Sequence, residues 1–132
     1  MKPALLAVGV AVALLLPGAS SRGTPTVGIT IHHSHFFPSH LSFPSGTTVR
    51  FVIRNTDPID HEFIVGPMAM QLMHEYATDA LHSGSAGAVS VPLFSTRSTT
   101  YEFSGSDAML FGCHLPGHWA YGMRGTIAVV RR

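Results

Sequence analysis

The clearest pattern in the chain is an alternation of apolar and polar side chains over residues 47–54. Val49, Phe51 and Ile53 share one face and Arg50 and Arg54 the other, which is typical of a strand with one buried face. Shorter runs of strand character, most of them separated by turn residues, cover residues 27–31, 61–65, 89–93, 99–103, 109–113 and 126–130. Seven to eight short strands in about 110 residues predict an all-β protein built as a two-sheet sandwich.

One stretch, residues 68–82, departs from this pattern because it contains no Gly or Pro and places apolar residues at helical spacing. It predicts one short helix inserted between strands. The methionines of this stretch also form a sequence that could bind Cu(I) through thioethers. Methionines at helical spacing usually pack into a core, so we favour a packed stripe of Met70, Met73, Ala77 and Leu81 over a metal site at Met68, Met70 and Met73.

The amino terminus has the layout of a secretory signal peptide. Lys2 precedes an apolar run over residues 4–16, and small residues follow it. Thirteen apolar residues are too few to span a bilayer core of about 30 Å. We therefore predict a signal peptide over residues 1–21 and a single domain over residues 24–132. The mature protein is expected to be exported, to the periplasm or the cell exterior, without stable membrane insertion.

The composition excludes one class of function and favours another. Only 11% of the 132 residues are charged and the formal net charge is +1, so the chain lacks the basic patch that nucleic-acid binding requires. The chain has nine histidines and six methionines but a single cysteine, which cannot form an intramolecular disulfide. Together these side chains could bind a soft metal ion.

The segment that carries this chemistry lies just before the last predicted strand. Cys113, His118 and Met123 are spaced five residues apart, a step that would scatter their side chains around a helix. Pro116 and Gly117 also oppose a helix, whereas a loop between two strands can direct all three side chains to one point. Thiolate, imidazole and thioether together suit copper better than zinc, which gains nothing from a methionine.

A site of this kind needs a second imidazole from elsewhere in the chain. His61 shares a predicted strand face with Phe63 and Val65, and we take it as the candidate. His33 and His35 continue the apolar face of residues 27–31, so the pattern alone would allow either of them as the second imidazole. His32, His33 and His35 could also form a separate weak metal site. His114 follows Cys113 directly and is expected to point away from the metal.

The segment from Cys113 to Met123 resembles the copper-ligand loop of the cupredoxins, the small blue copper proteins. Asp60-His61-Glu62-Phe63 resembles the segment that carries their first histidine ligand, and the residues that resemble their early strands are Phe37, Pro38, Leu41, Phe43, Gly46, Val49, Phe51 and Asn55. The resemblance implies a Greek-key sandwich and selects His61 over His33 and His35. It further implies one type 1 copper per chain, held by His61, Cys113 and His118 with Met123 as a weak axial ligand.

The resemblance also implies a function. We expect a monomeric one-electron carrier, not an enzyme, that meets its redox partners transiently at an apolar rim of Leu115, Pro116, Trp119 and Tyr121 around His118. For Trp119, packing in the core is an equal alternative. The alternative function is a copper-binding protein that sequesters or delivers Cu(I). Glu62 stands where several cupredoxins have an Asn that ties the two ligand segments together, which leaves the hydrogen bonding around the ligands open.

Overall fold

The computed structural model describes residues 23–77 and 85–131, so the predicted signal peptide lies outside the described residues. Nine strands and two short helices occupy these ranges. In chain order they are β1 Thr26–His32, β2 His35–Phe37, β3 His40–Pro44, β4 Thr47–Asn55, β5 His61–Gly66, α1 Met68–Tyr76, β6 Ala88–Val91, β7 Thr96–Phe103, β8 Met109–Gly112, α2 His118–Tyr121 and β9 Arg124–Val130.

The strands form two sheets that enclose the core. One sheet has the order β2-β1-β4-β7 and the other β3-β9-β8-β5-β6. Within them β1 pairs with β4 and β3 pairs with β9 in parallel, and the remaining pairs are antiparallel. The predicted all-β sandwich with an inserted helix is confirmed, with nine strands in the described residues where seven to eight were expected.

The core follows from the alternation along the strands. In β4 the predicted inward residues Val49, Phe51 and Ile53 are fully buried. They meet a cluster of aromatic rings contributed by both sheets, Phe36, Phe43, Phe63, Phe103 and Phe111. Strand β5 is buried along its whole length, because α1 packs against it on the side away from the core.

The inserted helix α1 differs from its prediction. It begins at Met68 and ends at Tyr76, so it is shorter than residues 68–82, and Leu81 lies outside the described residues. The packed methionine stripe is wrong, since Met73 is 63% exposed and the buried residue of the helix is Gln71. The Gln71 amide docks the helix by donating to the carbonyl oxygens of Ile64, Gly66 and Leu110. Among the described helices, neither is long and apolar enough to cross a bilayer.

Candidate metal centre

The first predicted ligand, His61, opens strand β5 at one end of the sandwich. Its side chain is buried, and it lies on the same strand as Phe63 and Val65, both of which belong to the core. The ring nitrogen Nε2 lies 2.9 Å from Oδ2 of Asp57, in the connection between β4 and β5. A carboxylate can only accept, so Nε2 carries the proton and Nδ1 is left with a lone pair.

The other predicted ligands lie on the connection between β8 and β9. Cys113 directly follows β8, and one helical turn, α2, carries His118. The sequence predicted a loop without a helix here. The turn fits because Gly117 and Gly122, which flank it, adopt left-handed φ values of 82° and 108° that favour glycine.

Backbone hydrogen bonds close this loop around Met123. The Cys113 N–H donates to the Met123 carbonyl oxygen at 3.1 Å, and the Met123 N–H donates to the His118 carbonyl oxygen at 3.0 Å. The Met123 side chain is fully buried and belongs to the same core cluster as Cys113. The loop thus holds the residue predicted as axial ligand beside the cysteine.

Three of the predicted ligands converge. The Nδ1 atom of His118 lies 3.2 Å from Nδ1 of His61 and 3.2 Å from Sγ of Cys113. All three donor atoms lie within 4.8 Å of one another, and no other such group of His, Cys, Asp and Glu occurs among residues 23–77 and 85–131. His61 and Cys113 are buried and His118 is half-buried, so the cluster reaches the surface only at His118.

Burial dominates the electrostatics of the cluster. It raises the pKa of the Cys113 thiol to about 12, although the backbone N–H groups of Glu62 and Leu115 oppose the rise. It also lowers the pKa of His61, against the hydrogen bond to Asp57, so the imidazole stays neutral at neutral pH. For Asp57, burial would raise the pKa, but hydrogen bonds from Ser34, His33 and His61 outweigh it and the pKa is lowered.

This donor set fits copper. The cluster offers the ring nitrogens of two imidazoles and, once the thiol proton is displaced, a thiolate. His₂Cys with a buried methionine close by is the set that blue copper sites use, whereas structural zinc sites are closed by four Cys or His ligands. Copper would be held by His61, Cys113 and His118.

The other histidine candidates lie elsewhere. Strand β1 ends at His32, and His33 and Ser34 form a turn with positive φ values of 48° and 53°. The turn breaks the alternation that had made His33 and His35 candidates, and neither joins the cluster. The rings of His32 and His33 stack at 3.9 Å, and Nδ1 of His35 lies 2.8 Å from the carbonyl oxygen of His33.

Glu62 ties the two ligand segments together. Its Oε1 accepts a hydrogen bond from the backbone N–H of His114 at 2.8 Å, which links the residue after His61 to the residue after Cys113. A glutamate therefore makes the kind of connection that the resemblance had assigned to an asparagine.

His114 turns away from the cluster, as expected, and joins the inserted helix. Its Nδ1 lies 2.8 Å from Oε2 of Glu75 and its Nε2 lies 2.6 Å from Oε1 of Gln71. Its ring stacks on Trp119 at a centroid distance of 4.8 Å. Trp119 is 8% exposed, so of its two expected roles packing is the one seen, while Tyr121 is 66% exposed.

The fold and the cluster together define a class: a β-sandwich with a buried His–Cys–His group at one end, contributed by a strand and by the loop before the last strand. The chain belongs to the cupredoxin-like domain family, whose pattern matches residues 4–93. That match includes His61 and ends before the loop that carries Cys113 and His118. The resemblance seen in the sequence is confirmed.

Relatives and solved structures agree with this family. The chain is 30% identical to the copper-resistant cuproprotein CopI of Rubrivivax gelatinosus over 117 residues, which is 86% of this chain and 71% of that protein. It is also 30% identical to the CopI protein of Vibrio cholerae, over 81% of this chain and 65% of that protein.

The solved structures are more distant in sequence and show the fold. Auracyanin A, a "blue" copper protein from Chloroflexus aurantiacus, superposes with a TM-score of 0.66 at 20% identity, over 80% of this chain and 98% of that one. Rusticyanin from Thiobacillus ferrooxidans superposes with a TM-score of 0.55 at 22% identity, over 80% of this chain and 77% of that one.

Proposed function

We propose that this protein binds one copper ion at His61, Cys113 and His118, with Met123 as a weak axial ligand, and carries one electron at a time between redox partners. The observation that carries the proposal is the convergence of two imidazole nitrogens and one thiol sulfur within 4.8 Å. Copper bound there would supply a Cu(II)/Cu(I) couple. No substrate is bound and no covalent bond is made or broken, so the protein is not an enzyme under this proposal.

The chain's own residues suit rapid electron transfer. His61 is fixed through Asp57, and Cys113 through the backbone N–H groups of Glu62 and Leu115. Because these partners are already in place, a change in the charge of the bound ion requires little movement of the ligands.

An electron would pass through His118, the half-buried member of the cluster. Pro116 and Gly117 beside it are exposed, and Tyr121 ends the same helical turn with 66% of its surface exposed. Transient electron-transfer contacts are small, so this rim would suffice for a brief encounter with a protein partner. The protein would act as a monomer outside the cytoplasm, which agrees with the signal peptide predicted over residues 1–21.

A second candidate function is protection against copper, and the names of the relatives favour it. Two proteins that share 30% identity with this chain are called copper-resistant cuproproteins. In this role the protein would sequester or deliver Cu(I), and Met68 and Met73, which are 46% and 63% exposed, are the residues on which a further ion could be bound. A second copper equivalent that remains bound in a Cys113→Ala variant would favour this function.

We expect His61→Ala to abolish the coloured centre that one equivalent of Cu(II) forms in the metal-free wild type. The substitution removes one of the two imidazoles from a buried cluster, and the remaining donors cannot complete a trigonal site. Titration with Cu(II), followed by visible absorption and paramagnetic resonance, measures both the stoichiometry and the centre. His33→Ala and His35→Ala are the controls and should keep it, because neither side chain joins the cluster, and the contact of His33 with Asp57 is made by its backbone N–H, which alanine retains. A centre that survives His61→Ala but not His35→Ala would contradict the assignment.

We expect Met123→Leu to keep its copper and to raise the reduction potential. Leucine is apolar and of similar volume, so repacking should cost under about 1.5 kcal/mol. Loss of a weak axial donor destabilises Cu(II) more than Cu(I), and the potential therefore moves upward. Cyclic voltammetry of both proteins measures the shift. An unchanged potential would place the thioether outside the coordination sphere, and loss of the copper would make it a strong ligand.

A further inference from the structure

The carboxylate of Asp57 is buried and accepts three hydrogen bonds. Its Oδ1 accepts from the backbone N–H of His33 at 2.7 Å. Its Oδ2 accepts from the backbone N–H of Ser34 at 2.8 Å and from Nε2 of His61 at 2.9 Å. Asp57 as a whole is 4% exposed, so a charged group lies out of water next to the candidate metal centre.

A turn and a neighbouring side chain hold Asp57 in place. The turn between β1 and β2, in which His33 and Ser34 have positive φ values, presents two successive N–H groups to it. On the other side, the Asp57 N–H donates to Oδ1 of Asn55 at 2.9 Å, while the Asn55 amide donates to carbonyl oxygens of Ile59, Val91 and Pro92. The chain thus fixes Asp57 from both sheets.

The bond to Asp57 decides which nitrogen of His61 is available. With the proton held on Nε2, the lone pair of Nδ1 points to the side where Nδ1 of His118 lies, 3.2 Å away. With the opposite tautomer, a proton would occupy the position of the metal, and Nε2 and Asp57 would face each other as two acceptors.

We propose that Asp57 is a positioning residue for the metal centre: it holds His61 in the tautomer that binds copper and, through its buried negative charge, favours Cu(II) over Cu(I). This inference rests on the proposed function in taking His61 as a ligand. The turn at His33 and Ser34 becomes part of the centre through the same carboxylate, although no atom of that turn would touch the metal.

The first measurement is made on the metal-free protein at neutral pH. Nitrogen-15 shifts of the His61 ring in the wild type should report the Nε2–H tautomer. In Asp57→Asn an amide replaces the carboxylate. If its oxygen faces the ring, the proton stays on Nε2 of His61, and if its NH₂ group faces the ring, Nε2 must accept and the proton moves to Nδ1. A mixture of tautomers is therefore expected. A wild type with the proton on Nδ1 would overturn the inference, and this result does not depend on whether any variant folds.

The second measurement compares the affinities for the two oxidation states by competition with chelators. Partners of ligating histidines typically contribute 10–100-fold to metal affinity. We expect Asp57→Asn to lower the affinity for Cu(II) by about that factor and the affinity for Cu(I) less, so that their ratio falls roughly tenfold. A tenfold change corresponds to a rise of about 59 mV in the one-electron potential.

Two variants serve as controls. Asp60→Asn removes the same charge one residue from His61. Asp60 is exposed and, among the described residues, accepts from the Leu93 N–H, so solvent screens its charge and the affinity ratio should change far less than in Asp57→Asn. Asp57→Glu keeps the charge and should restore most of the ratio. The wild type could form the coloured centre while Asp57→Asn leaves both the His61 tautomer and the affinity ratio unchanged. That result would refute the role of Asp57 but not the proposed function. A wild type that forms no coloured centre would refute the proposed function. The tautomer measurement on the metal-free protein would still decide whether Asp57 holds the proton on Nε2 of His61.

Discussion

Cys113→Ala is expected to eliminate the intense visible absorption of the copper-loaded protein and to weaken copper binding by more than about 100-fold. Under the proposed function this absorption would arise from charge transfer between sulfur and Cu(II), and Cys113 is the only cysteine in the sequence. Even an outer partner of a ligand contributes 10–100-fold to metal affinity, so loss of the thiolate itself should exceed that range. Spectra and competition with a chelator measure the two effects.

Met73→Leu is the matched control for this prediction. It also removes a sulfur atom, but from an exposed position on α1, so colour and affinity should stay those of the wild type. If Cys113→Ala remained coloured, or if Met73→Leu lost the colour, the thiolate assignment would be wrong.

Gly125→Ala is expected to lower the free energy of unfolding of the metal-free protein by about 3 kcal/mol, at the upper end of the range for overpacked cores. Gly125 lies in β9 opposite Phe111 of β8. A Cβ atom there would overlap the Phe111 ring and lie 2.5 Å from the backbone carbonyl oxygen of Ser39, which cannot move without disturbing β3. Urea denaturation followed by circular dichroism measures the loss.

Gly28→Ala offers a matched control in another strand. A Cβ atom at Gly28 meets nothing within 4 Å, and its backbone is not in the left-handed region. Alanine should therefore leave stability unchanged or raise it by up to about 1 kcal/mol through a less flexible unfolded chain. Equal stabilities of the two variants would show that β8, β9 and β3 pack more loosely than the structure indicates.

Much of the fold could be predicted because the central strands alternate between a buried and an exposed face. Residues 47–54 were predicted as a strand and form most of β4 Thr47–Asn55. The parallel partners of β1 and β3 could not be predicted, since pairing between distant segments leaves no local pattern. Strand β2 has only three residues, too few to show a period. The inserted helix was predicted from apolar spacing, yet it docks through the amide of Gln71.

The sequence brought His61, Cys113 and His118 forward as ligands, and the structure brings their donor atoms together. Cys113 and His118 could be predicted because they lie in one loop. His61 was selected by the resemblance to the cupredoxins, because the alternation along the strands also left His33 and His35 open. No pattern in the sequence marked Asp57, which lies in the connection between β4 and β5. Its contacts depend on a second turn more than twenty residues earlier, and no periodicity connects the two.

The order in which the chain acquires these contacts bears on when the metal can enter. His61 and His118 are 57 residues apart, and β3 meets β9 across 86 residues between His40 and Thr126. All-β chains dominated by such distant pairings fold over milliseconds to seconds, more slowly than helical proteins of similar size. Until the sheets have closed, His61 is not brought to Cys113 and His118. A site that combines the thiol with both imidazoles is therefore a property of the finished sandwich.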